Sequence, residues 1–154
     1  MINKENLFNL FPEPDDVDNN SDHDIEIKIT ESPHYRLSMF KKIVTNHIVF
    51  FKSYELQMKQ ADEKFNADEV KRQAGFVVYN RAWHYIKNID IDNNDHIKDL
   101  ILMDPYDMAY CLQLGIKYFE STEEYERCAH LFKIQKFLEK IAEKTENLKN
   151  TLES

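Results

Sequence analysis

The sequence predicts an all-α protein: a bundle of four to five helices ending in an antiparallel helical hairpin, with an acidic extended arm at its N-terminus. Three observations carry this. Only two glycines and four prolines occur in 154 residues, so the chain has few of the residues that tight turns and hairpins require. Apolar residues recur every three or four positions over long stretches. Acidic charge is concentrated at the N-terminal end.

The formal net charge is −8. Residues 1–32 hold two lysines and nine carboxylates, a balance of −7, which leaves −1 for residues 33–154. The chain therefore divides into an acidic arm, 1–32, and a nearly neutral helical domain, 33–154, with its first helices in 33–103 and the hairpin in 104–154. Acidic charge disfavours direct nucleic-acid binding, which draws its affinity from Lys and Arg. No aliphatic or aromatic run exceeds four residues, as in Ile48-Val49-Phe50-Phe51, far short of the ~20 residues of a membrane span. Two cysteines, Cys111 and Cys128, are too few for a disulfide scaffold. These features give a cytoplasmic protein with reduced thiols. Lys outnumbers Arg 16 to 4, a usage common in AT-rich genomes, which fits a phage-encoded chain acting in host cytoplasm or in a virion.

In the arm, Leu7, Phe8, Leu10 and Phe11 form an apolar cluster, followed by a carboxylate-rich stretch with little to bury. The cluster has the form of a docking motif whose acidic flank steers it to a basic surface. The alternative is that it folds back on the bundle. Ile25, Ile27 and Ile29 alternate with charged residues, the period-two signature of a short strand.

Ser32-Pro33 reads as a cap followed by proline at the first helical position. It opens a helix to about Lys64 that buries Leu37, Phe40, Val44, Ile48, Phe51 and Met58 and is widened by Met39, Ile43, Phe50 and Tyr54. Asn66 caps a second helix, with Asp68 and Glu69 favourable to its dipole. Val70, Ala74, Val77, Val78, Tyr85 and Ile89 are its expected apolar positions, and Ala74-Gly75 marks a close approach. A loop over Asn88–Asn94 leads to a short helix from Asp95 holding Ile97, Leu100 and Ile101. Asp104-Pro105 starts the next helix, which runs to about Glu120. Ser121 and Glu124 have capping-box spacing and start the last helix. There Leu131, Ile134, Leu138, Ile141 and Leu148 follow coiled-coil spacing, with Thr145 at the missing core position. Self-association through this helix is one expectation.

So short a connection makes the last two helices antiparallel neighbours and places Gly115 level with Cys128 and Ala129. Tyr125-Glu126-Arg127-Cys128-Ala129-His130-Leu131, preceded by an amphipathic helix and a turn, resembles the UVR motif. That motif is a helical hairpin of excision-nuclease subunits and Clp regulators. Tyr125, Glu126, Cys128, Ala129 and Leu131 match its pattern. Phe132-Lys133 replaces the usual Arg-Asp, and Ile134 falls one position early. The resemblance spans about 105–140 and implies protein–protein contact without chemistry, with Tyr125, Glu126 and Leu131 as contact residues.

Other chemistry finds little support. Asp90-Ile91-Asp92-Asn93-Asn94 opens like a calcium loop, but Asp95 and Ile101 stand where the loop needs glycine and a bidentate glutamate. Glu31 and His34 have the spacing of half a di-iron motif, whose other half is missing. Glu126 and His130 read as a surface pair. His47 and His84 would make an acid–base site only by converging, for instance beside Arg81, Tyr54 or Asp62; otherwise they are hydrogen-bonded core residues. No glycine-rich phosphate loop exists. No metal, cofactor or catalytic residue is expected. The expected function is a non-enzymatic adaptor or regulator with a protein partner. The alternatives are a structural component of a larger assembly such as a virion and, further off, a small helical enzyme.

Overall fold

The computed structural model describes residues 25, 26 and 28–153. Their fold is all-α, and residues 33–152 hold α1 (Pro33–Ala61), α2 (Ala67–Ile86), a short α3 (Asn94–Ile101), α4 (Pro105–Ser121) and α5 (Tyr125–Leu152). Two compact units divide at residues 31 and 32.

In the first unit the described residues within 25–31 are helical, and no strand occurs among the described residues. Ile25 and Ile29 are exposed on helical backbone, which corrects the expected strand. A lone strand leaves its N–H and C=O groups unpaired, whereas a helix satisfies them locally. Ile27, like Leu7, Phe8, Leu10 and Phe11, lies outside the described residues.

The second unit begins where the cap predicts. Ser32 Oγ accepts a hydrogen bond from the Tyr35 N–H at 3.2 Å, with Pro33 at the first position of α1. Asn66 Oδ1 accepts from Asp68 N at 3.0 Å and opens α2. Asn93 Oδ1 accepts from Asp95 N at 2.9 Å and from His96 N at 3.4 Å, opening α3. Asp104 Oδ1 accepts from Asp107 N at 2.9 Å and opens α4. Each cap satisfies donors that the first helical turn leaves unpaired.

Two boundaries differ from expectation. Helix α1 stops at Ala61 rather than Lys64, because Asp62 leaves the helical region and its Oδ1 accepts from Lys64 N at 2.9 Å, closing a local turn. The Ser121–Glu124 capping box does not form. Ser121 instead ends α4 and donates its hydroxyl back to the Tyr118 carbonyl at 2.6 Å. The Glu124 carboxylate is taken by Arg127 Nε at 2.9 Å and Thr122 Oγ1 at 3.0 Å, so it does not serve as the box's acceptor. The connection is Thr122–Glu124, with Glu123 at a left-handed φ of 60°.

Along α1 a single stripe is buried: Leu37, Phe40, Val44 and Phe51. Phe50, expected to widen it, is exposed. In α2 the buried face is Gly75, Tyr79, Ala82 and Ile86, while Val77 points to solvent. The 4–3–4 spacing of that face is helical, and Val77 lies about 200° from Tyr79 at ~100° per residue. Ile89 is buried, but in the loop after α2. Met108, Cys111, Leu112, Ile116 and Phe119 of α4 meet Cys128, Leu131, Ile134 and Leu138 of α5 in one core cluster.

The α4–α5 hairpin is antiparallel, slid slightly from the expected alignment. A Cβ on Gly115 would stand 2.9 Å from Leu131 Cδ1, so glycine admits the leucine. Cys128 Sγ donates to the Ile116 carbonyl at 3.6 Å, Gln135 Nε2 donates to Gln113 Oε1 at 2.9 Å, and Ala129 is exposed.

Candidate functional site

Helix α2 places Asp68, Lys71, Arg72, Gly75, Phe76 and Tyr79 at i, i+3, i+4, i+7, i+8 and i+11, which is one face of a helix. That face borders a cavity of about 550 Å³, completed by His47 of α1 and by Tyr118, Ser121 and Thr122 at the end of α4. Tyr79 and Tyr118 stack in its wall, with centroids 4.5 Å apart and planes 15° from parallel. Gly75 makes room for this pair: a Cβ there would sit 3.3 Å from Tyr118 Cε2. His47 packs edge-on against Tyr79 at 5.9 Å and tilted against Phe51 at 5.8 Å. Phe76 stands at the mouth with 65% of its surface exposed.

The titratable rings of the groove's wall are held neutral. Burial, aided by the positive field of Lys71, keeps the His47 imidazole below its ordinary 6.5. Burial pushes the Tyr79 phenol up to about 12, with Cys111, Tyr110 and Tyr118 adding to the shift. Tyr118 is raised by burial and by Glu124, against an opposing pull from Arg127. At neutral pH the wall is thus a neutral imidazole beside two phenols. The charge lies on the rim: Arg72, tied to Glu69 at 2.6 Å, together with Lys71 and Asp68. An apolar cleft with a few convergent polar groups is suited to holding a ligand.

Tyr125–Leu131 serves the fold more than the surface. Arg127 Nη1 donates to Asn80 Oδ1 at 2.7 Å, and its guanidinium carbon lies 5.2 Å from the ring centroids of both Trp83 and Phe119. His130 Nε2 is 3.0 Å from the Ile86 carbonyl, and its ring meets Trp83 edge-on at 5.3 Å. His130 therefore bonds α2 instead of pairing with Glu126. Leu131 is fully buried, while Tyr125 and Glu126 are exposed.

The remaining candidates are not brought together. His84 is exposed beside Tyr85, apart from the ring cluster of His47. Asp90 Oδ1 accepts from Asp92 N at 2.9 Å, and Asp90 N donates to His96 Nδ1 at 3.0 Å, so the 87–93 loop spends its polar groups on turns and caps. His34 N donates to Asp99 Oδ2 at 3.1 Å. Among the described residues no cluster of His, Cys, Asp and Glu could hold a metal ion. Burial raises both thiols: Cys111 lies 3.6 Å from Thr45 Oγ1 and Cys128 against Ile116. They are protonated packing groups.

The groove is absent from the sequence reading. Its two tyrosines are 39 positions apart, and only Gly75, expected at a close approach, and His47, expected to act with His84 if at all, point toward it. No helix among the described residues is long and apolar enough to cross a membrane. No family model, no curated protein and no solved structure matches the chain.

Proposed function

We propose that this chain is a non-enzymatic adaptor or regulator that works through protein–protein contact, with the α1–α2–α4 groove as its reading surface. The observation that supports this is the coincidence of neutral aromatic walls and exposed Phe76 around one cavity whose rim carries Lys71, Arg72 paired with Glu69, and Asp68. Its complement is a peptide with an aromatic anchor and an acidic flank. The anchor would lie against Phe76, Tyr79 and Tyr118, and the flank would meet the rim cations.

A peptide library randomised around a fixed phenylalanine tests this. Retained peptides should be acidic beside the anchor. They should bind more weakly as salt screens the rim, and roughly ten-fold more weakly to Phe76→Asp and Lys71→Glu. No enrichment, or equal binding to both variants, argues against the reading.

The acidic arm supplies the second contact in this account, with Leu7, Phe8, Leu10 and Phe11 as anchors. Replacing Phe8 and Phe11 by alanine should remove one partner and leave groove binding unchanged; if no partner is lost, the arm has no such role.

A further inference from the structure

Helix α5 outruns its hairpin partner. At about 1.5 Å per residue, its 28 residues span ~42 Å and the 17 of α4 only ~25 Å. With Gly115 against Leu131, Pro105 comes level with Ile141, and every described residue from 143 to 153 is exposed. The apolar spacing does not stop there. Leu131, Ile134, Leu138, Ile141, Thr145, Leu148 and Leu152 alternate in steps of three and four. The first three are buried, but Leu148 and Leu152 are 65% and 86% exposed. Thr145 spends its hydroxyl inside the helix, donating to the Ile141 carbonyl at 2.9 Å, which leaves its methyl to pack. Beside this stretch lies a groove of about 580 Å³, apolar at Ile101, Pro105, Tyr106 and Ile141 and polar along the side where Glu146 and Lys149 of α5 line it. Ile101, Leu102 and Tyr106 are themselves exposed.

We infer that the end of α5 pairs with the same segment of a second copy of this chain, antiparallel, to form a homodimer. The charges select both the occupant and the direction. A parallel pair would set Lys144 against the partner's Lys149 at the flanking positions of the seam, a like-charge contact at both symmetry-related places. The antiparallel pair places Leu152 over the partner's Ile141 and Thr145 over the partner's Leu148. Lys144 then flanks the partner's Thr151, and Lys149 flanks the partner's Ala142 and the partner's Glu146. Among the described residues no ion pair involves Lys144, Glu146 or Lys149, so these charges are not committed within the chain. The contact is isologous and closes at two copies. Each Leu152 reaches toward the other copy's groove. About 12 residues overlap over ~17 Å, so the contact falls at the low end of specific interfaces, under ~1,200 Å².

Sedimentation equilibrium of the full chain, from low micromolar to roughly millimolar concentration, tests the inference. A monomer–dimer equilibrium is expected. Leu148→Glu should shift it at least ten-fold toward monomer with unchanged helical circular dichroism. Lys149→Glu should weaken it roughly three- to ten-fold, and Lys149→Glu with Glu146→Lys should restore it. A monomer at every concentration overturns the inference, as does a dimer that ignores Leu148→Glu. Tighter association of Lys149→Glu also overturns it, since that change would relieve the parallel arrangement.

Discussion

The two halves of α5 carry one apolar repeat and meet opposite environments. From Tyr125 to Ile141 the seam residues Leu131, Ile134 and Leu138 are covered by the bundle, and Arg127 and His130 fasten the helix to α2. From Ala142 to Leu152 the same spacing continues into solvent. Periodicity therefore reports which residues share a face, and the length of the neighbouring helix decides whether that face is covered. A helix whose seam outlasts its intramolecular partner retains apolar surface for another chain.

The largest expected difference between the halves is in core packing. Leu131→Ala should cost about 2–5 kcal/mol in denaturant unfolding, through lost burial and a cavity beside Gly115. Leu148→Ala should change the monomer by less than about 0.5 kcal/mol. Similar losses at both positions would erase the distinction.

Next in size is the clamp. Arg127→Ala removes a charged hydrogen bond to Asn80, the pair with Glu124 and stacking on Trp83 and Phe119. The expected cost is about 1–3 kcal/mol. Lysine keeps the charge but lacks the planar fork, so Arg127→Lys should recover only part of it. Full recovery would mean that charge alone holds the half-helix in place.

The smallest effect concerns the groove between α1, α2 and the end of α4, which neither half of α5 lines. His47 titrates below its ordinary 6.5 because burial and Lys71 disfavour the imidazolium. The unfolded chain therefore binds the proton more readily. Stability is full above the unfolded value and declines as pH falls through the lower folded one. His47→Gln should flatten the profile in that window; an unchanged profile would place the acid sensitivity elsewhere.

Locally encoded features were legible in the sequence. Ser32-Pro33, Asn66 and Asp104-Pro105 carry their own acceptors and dihedral constraints, and each starts a helix where the pattern says. Local chemistry misled where a tertiary or competing partner intervened. Glu124 matched a capping box, but Arg127, three residues on, took its carboxylate. Val77 fitted the apolar pattern of α2, yet stacking of Tyr79 on Tyr118 and the space at Gly75 set the buried face. The groove was illegible for the same reason, since its walls come from three helices and meet only on packing. The unfilled heptad position at Thr145 was visible, but the sequence alone does not show where α4 stops covering the seam.

Amide hydrogen exchange along α5, followed at low and high protein concentration, tests the division most directly. Residues 125–141 should be protected at every concentration, whereas 142–152 should exchange fast when dilute and slow as the chains associate. Protection of 142–152 that is independent of concentration, or fast exchange there at every concentration, would contradict the account.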